Sequence, residues 1–193
     1  YDYPQARIAD GAGVDAILVG DSVGMTTLGY KTTIPVTMDD MIRHSSAVAK
    51  GAKKAFLIGD MPYMSYQVSN EEAVANAGRF IQAGMDCVKV EGAMTDRIKA
   101  IADSGIMVMS QSAKMIATKL SIPVYGIGAG DHVDGQLVIF HDLMGLFWEF
   151  KSKFVKRYCE AGQLMQGALT EYVREVREGV FPAEENFYAI KEE

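Results

Sequence analysis

Residues Ala55-Phe56-Leu57-Ile58-Gly59-Asp60 decide the fold, because two other stretches repeat their plan. Ala16-Ile17-Leu18-Val19-Gly20-Asp21 comes before them, behind Gly13-Val14-Asp15. Cys87-Val88-Lys89-Val90-Glu91-Gly92 comes after, behind Gly84-Met85-Asp86. Each is a short, mostly unbroken apolar run ending in an acid beside a glycine. Such runs suit strands buried on both faces, in a parallel sheet covered by helices.

Helical patterns separate the runs. Thr37 caps a helix over 38–50, with Asp40 three residues on, and Ser69 caps one over 70–83, with Glu72 in the capping-box position. The second carries Ala73, Ala77, Phe80 and Ile81 on one face. Further helices are predicted over 95–104, 113–120 and 151–178, the last with Leu164, Ala168, Tyr172 and Val176 in one stripe. Further strands are predicted over 106–109, 122–127 and 137–140. Tyr1-Asp2-Tyr3-Pro4 reads as a turn. Strand alternating with helix, without hairpin signals, means α/β. The acids recur at close to the ~30 residues of a βαβ unit, with one longer loop. They stand at the carboxyl ends of the strands, where such folds build their sites. Three successive strands delivering acids to one mouth favour a closed barrel over an open sheet.

The 193 residues suit one domain, 49% apolar and 23% charged, an ordinary globular composition. The net charge of −6 comes with scattered Lys and Arg, so nucleic acid is not expected as a partner. No run approaches the ~20 apolar residues that span a bilayer, and nothing reads as a signal peptide. The expected compartment is the cytoplasm. Cys87 and Cys159 are far apart, and Cys87 reads as a buried small hydrophobe. The methionines read as core filler.

Strand alternation puts Ile17, Val19 and Asp21 on one face, Phe56, Ile58 and Asp60 on another such face, and Cys87, Lys89 and Glu91 on a third. Three carboxylates converging on one mouth repel unless a cation neutralises them, and a hard divalent ion does so. Spacing alone leaves the alternatives open: each Asp can be a cap or a loop acid, and Lys89 can snorkel from an ordinary strand end. Gly126-Ile127-Gly128-Ala129-Gly130 can cradle a phosphate or make a tight turn, and fits neither a P-loop nor a dinucleotide fingerprint. His132 and His141, with Asp134 and Asp142, match no zinc spacing; Asp142 is expected to begin a short helix. His44 reads as structural.

At these residues the sequence resembles the ketopantoate hydroxymethyltransferase family. The resemblance is carried by Tyr1-Asp2-Tyr3-Pro4, Val19-Gly20-Asp21-Ser22-Val23-Gly24-Met25, Leu28-Gly29-Tyr30 and Pro35-Val36-Thr37-Met38. It continues through Gly59-Asp60-Met61-Pro62, Val88-Lys89-Val90-Glu91-Gly92, the glycine-rich run, Asp134-Gly135-Gln136 and His141-Asp142-Leu143-Met144-Gly145. Lys153-Phe154-Val155-Lys156-Arg157-Tyr158 and Gly179-Val180-Phe181-Pro182 complete it. The resemblance implies a (β/α)₈ barrel of the phosphoenolpyruvate/pyruvate type. It implies transfer of a hydroxymethyl group from 5,10-methylenetetrahydrofolate to 3-methyl-2-oxobutanoate, giving 2-dehydropantoate for pantothenate biosynthesis. Carried over by motif, Asp21, Asp60 and Glu91 correspond to a Mg²⁺ site, Glu91 acting through water. Asp21, Ser22, Asp60 and Lys89 correspond to the ketoacid site. A homo-oligomer, typically a decamer, is implied as well.

The chain departs from the family in one place. After Gly105-Ile106-Met107-Val108-Met109-Ser110 the family has a further loop and a strand carrying the glutamate that acts as base. Here Gln111-Ser112-Ala113-Lys114 follows at once. About two βα units, on the order of 60 residues, and part of the first strand are absent. Six strands or fewer remain, against the eight of a barrel. Either the sequence omits a stretch at the Ser110–Gln111 junction, or the protein has lost two staves. A true loss would expose apolar edges, so omission is the favoured account. The domain is therefore read as a single barrel over 1–193, with a gap between 110 and 111 and a helical extension over 151–178. No general base can be named. Two other functions remain open: a Mg²⁺-dependent lyase or mutase of the same superfamily, and a non-catalytic remnant that binds ketoacid.

Overall fold

The computed structural model describes residues 1–92, 94–110, 125–128, 130–131 and 133–186. They fall into two compact units, Tyr1–Ile122 and Pro123–Glu193. The predicted helix over 113–120, residues 122–124 of the predicted strand, and the bond at Gln111 lie outside the described residues.

The first unit is a four-stranded parallel sheet with helices between its strands. Its elements are α1 (Tyr3–Gly11), β1 (Ala16–Val19), α2 (Val23–Thr26), α3 (Met38–Gly51), β2 (Phe56–Asp60), α4 (Asn70–Gln82), β3 (Cys87–Val90), α5 (Thr95–Asp103) and β4 (Val108–Ser110). The strands lie side by side in chain order, β1-β2-β3-β4. Barrels wind this way, whereas a doubly wound sheet reverses its order at a switch point. The register sets Val19 opposite Gly59, and Asp60 opposite Lys89. That pairing puts the acid of one strand beside the lysine of the next.

Local chemistry explains the helix starts. Thr37 Oγ1 accepts from Asp40 N–H, while the Asp40 carboxylate accepts from Thr37 N–H, a reciprocal cap. Ser69 Oγ accepts from Glu72 N–H at 3.1 Å. The first four residues are not a turn: Asp2 is extended and caps α1, accepting from Gln5 N–H, with Pro4 in the first turn. Aspartate at the cap and proline just inside are helix-start signals.

Ala73, Ala77 and Phe80 are buried as predicted; Ile81 is exposed, because one further residue turns the helix ~100° away from that face. Phe80 packs on Gly59, where an added Cβ would stand 2.2 Å from the ring. Strand β4 begins two residues later than predicted, because pairing with β3 starts at Val88 opposite Val108. Cys87 is buried, and burial pushes its thiol up to about 11.

The second unit has a parallel strand pair, β5 (Tyr125–Gly126) and β6 (Gly135–Gln136), a one-turn helix Phe140–Leu143 and a long helix Ala161–Glu178. Six strands are thus present among the described residues. Residues 137–140 do not form the predicted strand: Leu137 N–H makes the last ladder bond, to Gly126 O, and the chain then turns into the short helix at Phe140. The long helix starts ten residues later than predicted. Residues 151–160 are held otherwise: Tyr158 N–H donates to Leu143 O, Ala161 N–H to Met144 O, and Arg157 to Phe147 O. The stripe Leu164, Tyr172 and Val176 is exposed, not buried. No described helix is long and apolar enough to cross a membrane.

Candidate active site at the strand ends

The carboxyl ends of β1, β2 and β3 bring the predicted residues together. Asp60, the last residue of β2, is 2% exposed. Lys89 Nζ donates to both its oxygens at 3.0 Å and to Glu91 Oε1 at 3.0 Å. Asp21 N–H donates to Asp60 Oδ2 at 3.1 Å. Gly20 keeps that turn narrow, since a Cβ there would stand 3.0 Å from Ser22 Oγ and 3.7 Å from Asp60 Oδ2. Ser22 leads into α2, and its Oγ lies 2.6 Å from the Tyr1 hydroxyl.

Charge and burial compete here. Burial pushes the Asp60 carboxyl up to about 6, against the Lys89 charge that favours its ionised form. Burial pulls the Lys89 ammonium down, but the Asp60 charge and the hydrogen bonds to Asp60 and Glu91 more than reverse this and leave it above the ordinary lysine range. At neutral pH the centre is a buried carboxylate gripped by a fully protonated lysine.

Among the described residues no three His, Cys, Asp or Glu side chains gather tightly enough to hold a metal ion. The Lys89 ammonium stands between Asp60 and Glu91, and the Glu91 side chain is 57% exposed. The donor set nevertheless suits a hard divalent cation. Three carboxylates and one ammonium leave two negative charges, and all the donors are oxygens. Mg²⁺ takes few carboxylates directly and keeps several waters, so a distant third acid is compatible with it.

Sequence reasoning missed the loop over 61–69. Its Tyr66 is 3% exposed and reaches the end of β3. The Tyr66 hydroxyl accepts from Glu91 N–H at 3.0 Å and donates to Glu91 O at 3.3 Å. Arg97 of α5 donates to Tyr66 O and Gln67 O, and Asn76 of α4 donates to Ser65 O at 2.7 Å. A buried tyrosine between an acid and a helix cap was the available signal.

The remaining candidates fall outside this cluster. Gly128 and Gly130 have φ of +63° and +87°, and a Cβ on Gly128 would stand 2.7 Å from the Phe154 ring, which favours the tight-turn reading. His132 lies outside the described residues. His141 and Asp142 are buried in the one-turn helix. It begins at Phe140, two residues before the expected start at Asp142, because Ile139 is its cap and its carbonyl already accepts from Asp142 N–H. His44 Nδ1 lies 2.7 Å from Tyr1 O, a structural contact.

A parallel α/β fold with its ionisable groups at the strand ends is the class of the barrel enzymes. Solved structures agree on the fold: phosphonopyruvate hydrolase in complex with oxalate and Mg²⁺ matches 98% of this chain and 85% of its own (TM-score 0.51, 12% identity). 2,3-Dimethylmalate lyase, a PEP mutase/isocitrate lyase superfamily member, matches 97% and 81% (TM-score 0.50, 12% identity). The ketopantoate hydroxymethyltransferase family model matches residues 1–112 and 107–184, and the chain belongs to that family. The 3-methyl-2-oxobutanoate hydroxymethyltransferase of Clostridium kluyveri is 40% identical over 244 positions, covering 99% of this chain and 86% of its own length. That of Alkaliphilus metalliredigens is 42% identical, covering 98% and 86%, and that of Thermus thermophilus 38%, covering 97% and 92%. An alignment of 244 positions against 193 residues leaves about 50 positions opposite a gap in this chain. The two family matches meet at 107–112, where the sequence departs from the family pattern.

Proposed function

We propose that the chain is a 3-methyl-2-oxobutanoate hydroxymethyltransferase, which moves a one-carbon unit from 5,10-methylenetetrahydrofolate onto the ketoacid to give 2-dehydropantoate, in the cytoplasm. The observation that carries this reading is the buried Asp60–Lys89 pair at the ends of neighbouring strands, with Asp21 on the same carboxylate. Asp21, Asp60 and Glu91 would hold Mg²⁺, which when bound supplies Lewis acidity to the ketoacid's carboxylate and keto oxygens. Lys89 keeps its proton and sets a positive charge where negative charge builds on the keto oxygen as the C3 proton leaves. Ser22 offers a hydroxyl to the same oxygens. With Tyr1 as donor in their 2.6 Å contact, Ser22 keeps its own proton for the ligand. The group that takes the C3 proton belongs to the positions opposite the alignment gap. The carbanion-like C3 then attacks the folate's methylene carbon as one of its C–N bonds breaks, and water replaces the remaining nitrogen to give the hydroxymethyl group and release tetrahydrofolate. Self-association into a homo-oligomer, a decamer in the family pattern, is part of this reading. It is supported by the apolar residues left exposed along the Ala161–Glu178 helix.

Titration calorimetry with Mg²⁺ and 3-methyl-2-oxobutanoate, followed by assay with and without methylenetetrahydrofolate, tests the proposal. Consumption of the ketoacid only when the folate is present is the expected result. Consumption without it would make the protein a lyase or mutase, and binding without turnover would make it a remnant.

A further inference from the structure

We infer that Tyr66 is a positioning residue for Glu91, fixing where the third acid of the platform stands; this rests on the Mg²⁺ reading of Asp21, Asp60 and Glu91 given above. Glu91 lies one residue beyond β3. There the strand ladder stops supplying partners, and both main-chain groups of Glu91 turn to one hydroxyl. Tyr66 Oη takes the N–H at 3.0 Å and gives its proton to the carbonyl at 3.3 Å. The Glu91 side chain is more than half exposed, with Lys89 as its ion-pair partner. Its backbone anchor therefore decides where the carboxylate can reach.

The loop that carries Tyr66 is itself held to a single course. Asn76 grips Ser65 O from α4. Arg97 grips the carbonyls of Tyr66, Gln67 and Val68 from α5, and bonds the Asn70 side chain as well. Met64 sits at φ +66°, a left-handed conformation that a non-glycine residue holds only when its surroundings over-determine it. Two helices and a strained residue thus deliver one buried hydroxyl to one peptide unit. Groups that orient a metal ligand without touching the metal commonly change affinity by about 10- to 100-fold when lost.

Tyr66→Phe removes the hydroxyl and keeps the ring. Calorimetric titration of the full chain with Mg²⁺ should show dissociation weakened about tenfold or more. The metal-free melting transition should stay cooperative, and kcat at saturating Mg²⁺ should change less than the Mg²⁺ requirement. In a Glu91→Gln background the same substitution should leave Mg²⁺ affinity unchanged, because its target is already gone. A folded Tyr66→Phe protein with wild-type Mg²⁺ affinity overturns the inference, as does an undiminished effect in the Glu91→Gln background. Should Tyr66→Phe not fold, Arg97→Met decides: weakened Mg²⁺ binding supports the inference and unchanged binding overturns it. Wild-type protein that binds no Mg²⁺ removes the platform reading and this inference with it, and Tyr66→Phe plays no part in that result.

Discussion

The two units solve the burial problem differently. Among the described residues, every buried apolar side chain except Val155 belongs to the first unit. There Phe80, Met41, Val88 and Ile101 close a core around the sheet. In the second unit Trp148 and Leu169 are each 63% exposed, and Leu146, Trp148, Met165, Leu169 and Val173 line an open groove. Monomeric surfaces rarely keep contiguous apolar area of this kind uncovered. The first unit holds nearly all the buried apolar side chains among the described residues and also all five predicted site residues. The second presents a surface whose worth depends on what covers it.

Substitutions in each unit can break or sharpen this contrast. The largest effect is expected in the first unit at the site itself. Asp60→Asn removes the carboxylate on which Lys89 and Asp21 converge, and turnover at saturating substrates should fall by about a thousandfold or more. Steady-state kinetics checks this, and retention of a tenth of the activity would move the chemistry elsewhere. Next comes Gly59→Ala. Its Cβ would meet the buried Phe80 ring, and overpacking of this kind costs about 3 kcal/mol. Thermal or urea unfolding should show the loss without any change in the acids.

The third effect depends on pH. Burial raises the Asp60 carboxyl in the fold to about 6, from an ordinary 3.8. A raised folded-state value means the contribution to stability is complete below pH 3.8 and is lost as pH climbs through 6. In metal-free protein, the stability of Asp60→Asn relative to wild type should therefore increase by about 2 kcal/mol between pH 4 and 6.5. A flat difference would show that Asp60 is not desolvated. The smallest effect on the folded chain is expected in the second unit. Leu169→Glu should barely alter far-UV circular dichroism or the first unit's unfolding. Sedimentation should nevertheless show a smaller assembly, and an unchanged sedimentation coefficient would remove this helix face from self-association.

The sheet and the acids were legible in the sequence because they obey local rules. Apolar runs of strand length, Thr37 and Ser69 as caps, and an acid at each strand end are all signals within a few residues of one another. Alternation along each strand was enough to put Asp60 and Lys89 on the site faces of their strands, whereas the register that makes them partners was not legible. What was not legible acts across elements. Tyr66 meets Glu91 from another loop, 25 residues away, and Arg97 holds that loop from a helix that follows both. Residues 151–160 carry helix-compatible residues, yet their backbone partners lie in the turn after Phe140–Leu143. Helix α1 was a different case. Its aspartate cap and proline were in plain view, and a short opening segment was read as a turn.

Lys89 has a consequence for how any ion is held. On the Mg²⁺ reading proposed above, the platform already contains a resident cation, so an arriving ion would share the carboxylates with a charge of its own sign. Lys89 would keep the acids ordered when the ion is away, and the ion would be held less firmly than by three unclaimed carboxylates. Such a seat would exchange its occupant readily and need not unravel when a chelator empties it. Lys89→Met should reverse that balance: calorimetry would find the ion held more tightly, while turnover is lost.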